Sequence, residues 1–133
     1  MFINNKMLKI IRQIGKFSII GVIGVILNYI TFTIFLIYLD INYLVAGFAG
    51  YLVPAIPVFL LNRIWTFNSN ISISKGIPIY IMIDTAKILL HILVQYTVKE
   101  FFGVPEFYSQ GFGIVTSVIL GFILVKKLMD SKI

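Results

Sequence analysis

The sequence predicts an all-α integral membrane protein, with four transmembrane helices arranged as two similar two-helix hairpins. Composition, four long apolar segments and a weak internal repeat support this prediction. Of the 133 residues, 59% are hydrophobic and 12% are charged, whereas soluble domains are nearer half apolar and a quarter charged. A folded chain of 15.1 kDa keeps a large part of its surface exposed. We therefore expect the excess apolar surface to face lipid.

The same composition argues against several classes of function. There is no cysteine, which excludes a disulfide framework and thiolate chemistry. One histidine and five acidic residues leave little for a metal site, so no cofactor is expected. No nucleophile–base pair is visible, so the protein is not expected to be an enzyme. The net charge of +6 does not predict nucleic-acid binding, because the basic residues flank apolar segments rather than forming a patch on a soluble surface.

Four segments approach the roughly 20 apolar residues that a spanning helix needs. They cover about residues 17–39, 43–62, 77–99 and 106–125, within one transmembrane domain over residues 1–133. Short polar or turn-forming segments separate them at 40–42, 68–76 and 101–106. Residues 1–16 precede the first span. Over residues 7–17 the apolar side chains share one face of a helix and the basic side chains lie on the opposite face. This predicts a cytoplasmic amphipathic helix lying on the inner leaflet.

Charge asymmetry predicts the orientation. Basic residues concentrate in the amino-terminal segment, in the loop after the second span and in the carboxyl tail: Lys6, Lys9, Arg12, Lys16, Arg63, Lys75, Lys126, Lys127 and Lys132. The other two loops hold Asp40, Glu100 and Glu106 with only Lys99. Because positively charged segments stay inside, both termini are predicted to be cytoplasmic, in a multi-pass protein of the cell membrane.

An internal repeat is visible when residues 17–39 are aligned with 80–102. The aligned pairs include Gly21 with Asp84, Gly24 with Lys87, and Asn28 with His91. With one extra residue in the second loop, Gly47-Phe48 aligns with Gly111-Phe112, and Asn62-Arg63 with Lys126-Lys127. Two halves with an even number of spans are related by an axis along the membrane normal. The alignment predicts equivalent depths near the bilayer middle for Asn28 and His91.

Two stretches carry a resemblance to a known family: KFSIIGVIGVILNY at 16–29 and YLVAGFAGYLVPAIPVFLLNRIWTF at 43–67. The second ends in the pattern F-x-x-N-R-x-W-x-F. In order and spacing these stretches resemble the GtrA-like membrane proteins, more weakly so over the rest of the chain. The second half departs from the pattern, since it ends in FILVKKLMD. The resemblance implies translocation of polyprenyl-phosphate-linked sugars from the inner to the outer leaflet, for polysaccharide synthesis or glycosylation.

Asp84, Lys87, His91 and Gln95 form the main candidate site, a polar stripe at i, i+3, i+7 and i+11 on one helix face. Charged side chains within a span are costly and usually face the bundle interior or a water-filled cavity. One interpretation is a structural ion pair between Asp84 and Lys87. The other is a path for a charged head group, with Lys87 attracting the phosphate and His91 and Gln95 bonding sugar hydroxyls. Only the second accounts for the whole stripe.

Further candidates lie outside this stripe, and each has a structural alternative. Asn28 is a candidate for substrate contact or for a helix–helix hydrogen bond. Asn62 and Arg63 end the second span, where Arg63 would fork onto a phosphate or serve as a membrane anchor. Lys126 and Lys127 are their counterparts in the repeat. Two prolines, Pro54 and Pro57, predict a kink, and a ridge of small residues on the fourth helix, Gly113, Ser117 and Gly121, predicts a packing or dimer surface.

The resemblance implies a flippase, and the candidate residues then predict that the head group enters at Arg63 and crosses along Lys87, His91, Gln95 and Asn28. The expected partners are the lipid-linked sugar phosphate, a second copy of the chain and a glycosyltransferase. Two rivals stay open. A small multidrug-type exporter would centre on a glutamate in helix one, and this helix one has no acid. A non-transporting accessory subunit of a membrane glycosyltransferase is the other rival.

Overall fold

The computed structural model describes residues 4–133, apart from the side chains of residues 43, 44, 48 and 107. All secondary structure in this part is helical, as the sequence predicts. The helices are α1 (Asn5–Thr33), α2 (Tyr43–Leu61), α3 (Ile73–Phe102) and α4 (Glu106–Met129). The π-helical turns Ile34–Tyr38 and Asn62–Thr66 continue α1 and α2. Residues 1–3, where the predicted amphipathic segment begins, lie outside the described residues.

Four helical stretches are long and apolar enough to cross a membrane: Asn5–Tyr38, Val45–Thr66, Ile73–Phe102 and Tyr108–Met129. The four predicted spans are therefore confirmed. Many large apolar side chains are exposed, among them Val22 at 61% and Leu89 at 63%. Exposed aliphatic surface of this extent suits lipid, in which every backbone polar group is satisfied inside the helix.

The amphipathic segment is not a separate surface helix. Asn4 caps α1 by accepting a hydrogen bond from the Met7 N–H at 2.9 Å, and the helix then continues without a break into the span. The 34 residues of Asn5–Tyr38 correspond to about 50 Å of helix, against a hydrocarbon core of about 30 Å. The amphipathic turns therefore prolong the axis of the span, because no turn residue separates the two parts.

The prolines of α2 do not break the helix. Helical structure is continuous across Pro54 and Pro57 and changes to π geometry only at Asn62–Thr66. The Phe67 N–H, donating to the Asn62 carbonyl at 2.9 Å, ends this turn. The departure from α geometry thus comes after the prolines, at the residues that carry the family-like motif.

In the first hairpin, α1 and α2 pack antiparallel through glycines. A Cβ atom on Gly24 would lie 3.2 Å from Val58 Cγ2, and one on Gly50 would lie 3.2 Å from the Asn28 carbonyl oxygen. Low residue numbers on α1 therefore meet high numbers on α2. Asp40, with a φ of 53°, lies in the turn between the helices.

The second hairpin has the same construction. A Cβ on Gly121 would lie 2.7 Å from Lys87 Cδ, and one on Gly113 would lie 2.9 Å from the His91 carbonyl oxygen. Gly103, with a φ of 67°, occupies the turn, a conformation that glycine adopts without steric cost. The chain divides into two compact units between Ser72 and Ile73, and each unit is one of these hairpins.

The contacts within the two hairpins correspond at one constant spacing. Asn28 to His91 and Gly50 to Gly113 are both steps of 63 residues, as are Gly24 to Lys87 and Val58 to Gly121. Buried positions follow the same step: Phe17 with Tyr80, Ile20 with Ile83, Ala46 with Ser109, Asn62 with Val125, and Thr66 with Met129. The two similar hairpins are confirmed.

The alignment of their second helices with one extra residue is wrong. The contacts match Gly50 to Gly113 and Val58 to Gly121, without an insertion. The same step of 63 residues aligns Arg63 with Lys126 rather than with Lys127. The Gly-Phe dipeptides at 47–48 and 111–112 are 64 residues apart, so matching their identical residues shifts the alignment by one residue. The side chain of residue 48 lies outside the described residues.

Candidate functional site

The predicted polar stripe lies along α3. Lys87 Nζ is 3.5 Å from Asp84 Oδ1, so the ion pair that the sequence predicts is formed. The two side chains remain 25% and 19% exposed. Neither group is therefore fully buried.

Glycines on α4 make room for the stripe. A Cβ at Gly121 would lie 2.7 Å from both Cδ and Cε of Lys87, and one at Gly113 would lie 3.2 Å from His91 Cγ. Ser117, between them in sequence, donates its hydroxyl to the Ile114 carbonyl at 2.9 Å. The predicted packing role of the small-residue ridge is confirmed for its two glycines, and the surface that packs on them is α3. A dimer contact at the ridge stays a prediction.

His91 and Gln95 continue the stripe and are both half-buried. Together with Lys87 they supply an ammonium group, an imidazole and an amide along one helix face, all able to donate hydrogen bonds to phosphate or hydroxyl oxygens. Asp84 gives the lysine a charge partner, so the ammonium is not an isolated charge in an apolar segment.

Asn28 occupies the corresponding position of the first hairpin. A Cβ on Gly50 would lie 3.4 Å from its side-chain Oδ1, so Asn28 packs where α1 and α2 cross. The side chain is half-buried. The helix-contact interpretation describes this geometry, and a contact with substrate stays a prediction.

Asn62 and Arg63 lie side by side in the π turn but differ in accessibility. Asn62 is 1% exposed, and its Oδ1 accepts a hydrogen bond from Thr66 Oγ1 at 2.8 Å. Its amide therefore holds the turn together from inside. Arg63 is half-buried and donates from Nε to the Ile71 carbonyl at 2.9 Å. That bond fixes the side chain through one of the five donors of the guanidinium.

Lys126 and Lys127 end α4. Lys126 Nζ lies 3.0 Å from Asp130 Oδ2, in a pair whose side chains are 26% and 52% exposed, and such exposed pairs contribute about 1 kcal/mol or less. Lys127 is exposed. Both charges also interact favourably with the carboxyl end of the helix dipole.

Sequence reasoning did not pair Lys16 with Trp65 or Phe17 with Phe67, which form a basic and aromatic clamp between α1 and the end of the π turn that continues α2. Lys16 Nζ lies 5.3 Å from the centroid of the Trp65 ring and donates to the Trp65 carbonyl at 3.5 Å. Phe17 packs edge-on against Phe67, with ring centroids 6.5 Å apart. The sequence did contain a signal for this contact, because K-F at 16–17 and W-x-F at 65–67 both belong to the stretches that resemble the family. K-F begins the first of these stretches and W-x-F ends the second, and the hairpin brings the two together.

Comparison with known proteins identifies the family. The family model described as "GtrA/DPMS, transmembrane domain" matches residues 16–129, which begins at the clamp lysine and ends at the last residue of α4. No curated protein and no solved structure matches the chain. The chain therefore belongs to the GtrA/DPMS transmembrane-domain family and is a multi-pass membrane protein of polyprenyl-linked sugar processes.

Proposed function

We propose that the protein translocates a polyprenyl-phosphate-linked sugar across the cell membrane, from the cytoplasmic to the outer leaflet, for polysaccharide synthesis or glycosylation. The observation that carries this proposal is the partly accessible Asp84–Lys87 pair, 3.5 Å apart on a spanning helix. Membership of a family concerned with polyprenyl-linked sugars supports the choice of cargo.

Lys87 is the phosphate-binding residue of this proposal. A phosphodiester replaces Asp84 as the partner of the ammonium, so neither the lysine nor the cargo is left as a lone charge in the hydrocarbon. The lysine side chain lies over Gly121, where α4 contributes no side-chain bulk. His91, one turn further along α3, and Gln95 then bond hydroxyls of the sugar.

Arg63 acts at an earlier stage, at the end of α2. Its Nε bond to the Ile71 carbonyl fixes the guanidinium plane, and a fixed guanidinium matches two phosphate oxygens at once. Asn62 supports this residue by holding the π turn. Lys126 and Lys127 add positive charge at the end of α4 and increase the local concentration of anionic cargo.

The exporter rival is disfavoured by the charges themselves. Residues 5–38 contain no acid that could bind a cation, and the carboxylate of Asp84 already has Lys87 as its partner. The proposed partners are a second copy of the chain and a membrane glycosyltransferase. An accessory role without transport is the rival that the following experiment separates.

The experiment measures flux in proteoliposomes that contain the purified chain and a panel of tritiated polyprenyl-phosphate-linked hexoses. Label that moves to the opposite leaflet is detected as sugar newly accessible to an impermeant oxidant. We expect the wild-type chain to accelerate movement of at least one panel member. We expect Lys87→Ala and Arg63→Ala to lower that rate at least tenfold, since a charge-assisted phosphate contact is worth about 1.5–3 kcal/mol.

Lys132→Ala is the matched control, because it removes one positive charge from an exposed tail residue and should leave the rate within twofold. An acceleration that survives both Lys87→Ala and Arg63→Ala would contradict the mechanism. A chain that moves no panel member but raises the activity of a co-reconstituted glycosyltransferase would favour the accessory role. Proton-driven efflux of cationic dyes would favour the exporter.

A further inference from the structure

A cleft lies between the first turns of α1 and the end of α2, within the first hairpin. Its volume is about 350 Å³, and it is lined by Lys9, Arg12 and Lys16 on one side and by Trp65 and Asn68 on the other. Volumes of this size lie at the lower end of the range for small-ligand pockets. Lys9 and Arg12 precede the matched family region, which begins at residue 16.

Charge within the cleft is entirely positive. Lys9, Arg12 and Lys16 follow i, i+3 and i+7 spacing, so they share one side of α1. Like charges at such spacings destabilise a helix. No acidic residue lines the cleft, and Asp40, the one acid between residues 4 and 72, lies at the opposite end of the helices. An anion from outside the hairpin would relieve this repulsion.

Two of the side chains that line the cleft are buried and well packed. Gln13 and Thr66 both line it and are each 4% exposed, so its floor is held by packed side chains. Trp65 keeps 44% of its surface exposed while Lys16 lies over its ring. A cationic wall facing an indole ring suits a phosphate ester whose attached group lies against the ring.

From this arrangement we infer that the cleft is a binding site for a phosphate ester anion at the membrane surface, with Arg12 and Lys9 as its principal contacts. Arg12 provides the bidentate fork, and Lys9 adds a second positive charge one turn away. The length of α1 carries these turns beyond the apolar part of the span, where lipid phosphates lie. The inference goes beyond translocation, because binding here requires no movement of cargo.

Trp65 is the only tryptophan of the chain, so tryptophan fluorescence, excited selectively over that of tyrosine, reports on this cleft. The purified full chain in a non-ionic detergent is titrated separately with dioctanoyl phosphatidic acid, inorganic phosphate and dioctanoyl phosphatidylcholine. We expect phosphatidic acid to change the Trp65 emission saturably and the zwitterionic lipid to leave it unchanged. Saturation by inorganic phosphate at similar concentrations would assign the site to free phosphate, whereas a much weaker response would assign it to lipid phosphate.

Arg12→Gln should weaken the apparent affinity for phosphatidic acid at least tenfold. Lys6→Gln removes a charge from the same helix outside the cleft lining and should change the affinity less than twofold. Both side chains are exposed, so circular dichroism should show wild-type helix content. Equal weakening by the two substitutions would overturn the site, as would unchanged emission together with no lipid retained in native mass spectrometry. A chain that binds phosphatidic acid yet moves no lipid-linked sugar would overturn the proposed function and leave this site intact.

Discussion

The two hairpins share one packing register but divide the chemistry between them. In the first hairpin, the glycine of the shared crossing is Gly24 on α1, and Val58 on α2 fills the space. In the second hairpin, the corresponding position on α3 is Lys87, and the glycine is Gly121 on α4. The larger residue of the contact is thus on the second helix of the first hairpin and on the first helix of the second hairpin, at equivalent positions. A lysine can therefore occupy a helix contact because its partner has lost its side chain.

The two hairpins also differ in the side chains at the ends of their second helices. The first hairpin closes its end with the clamp of Lys16 on Trp65 and Phe17 on Phe67. At the end of α4, Lys126 is half-buried and paired with Asp130, and Lys127 is exposed. The first hairpin thus has an aromatic and cationic clamp at the end of its second helix. The second hairpin has no such clamp among its described contacts, and it has the Asp84–Lys87 ion pair inside its span. We interpret this as specialisation of two copies of one structural unit.

The largest expected loss of stability is at Gly113. In Gly113→Ala the new Cβ would lie 2.9 Å from the His91 carbonyl oxygen, a backbone atom that cannot move alone. We expect the free energy of unfolding, measured by titration with a denaturing detergent, to fall by about 1–3 kcal/mol. Gly111→Ala on the same helix, where nothing lies within 4 Å, is the control and should not be destabilised. Equal stability of the two variants would refute the α3–α4 contact.

The equivalent substitution in the first hairpin tests the comparison directly. In Gly50→Ala the Cβ would lie 3.2 Å from the Asn28 carbonyl oxygen, a milder contact than at Gly113. The same titration should show a loss of about 1 kcal/mol or less. A larger loss here than in Gly113→Ala would show that the hairpins do not share the packing described above.

Gly121→Ala separates packing from function. Its Cβ would lie 2.7 Å from Cδ and Cε of Lys87, which belong to a flexible side chain and can rotate away. We expect a change in the free energy of unfolding of less than about 1 kcal/mol, but a lower rate of lipid-linked sugar movement, because the ammonium is displaced. An unchanged rate would show that the position of Lys87 is immaterial to transport.

A small effect on stability is expected at the clamp. Lys16→Met keeps the length of the side chain but loses its charge above the Trp65 ring. An exposed cation–π contact is worth about 0.5–1 kcal/mol, and the unfolding titration should show a loss of that size. Lys132 is an exposed residue beyond the end of α4, so Lys132→Met is the control and should leave the stability unchanged. A loss as large for Lys132→Met would show that the effect at Lys16 comes from the loss of a positive charge alone and not from the contact with Trp65.

Much of this architecture is predictable from the sequence because lipid imposes a simple rule. Apolar segments of sufficient length predict the four spans, and helical spacing alone places Asp84, Lys87, His91 and Gln95 on one face. The repeat also matches Asn28 with His91 correctly, since helices of fixed rise keep the spacing of their residues. These predictions depend only on local geometry.

The remaining features depend on contacts between distant residues. Lys16 and Trp65 are 49 residues apart, and periodicity within either helix says nothing of their meeting. The predicted alignment of the α2 sequence with the α4 sequence is shifted by one residue. Sequence identity favours aligning the two Gly-Phe dipeptides, whereas the contacts of Gly50 and Gly113 with the preceding helix, which fix the correct alignment, are not visible in the sequence. The continuity of α1 is not predictable in this way, because an amphipathic pattern does not distinguish a surface helix from the extension of a span.

The double substitution Asp84→Asn with Lys87→Met tests most directly whether the second hairpin carries cargo. It removes both charges of the pair while keeping the approximate size of each side chain, and neutral replacement of an ion pair that is largely removed from water is often without cost to stability. If the stripe moves a phosphate, the double variant should match the wild type in its unfolding titration and lose at least nine-tenths of its lipid-linked sugar flux in proteoliposomes. A double variant that keeps wild-type flux would show that the pair only joins helices, and would contradict the account.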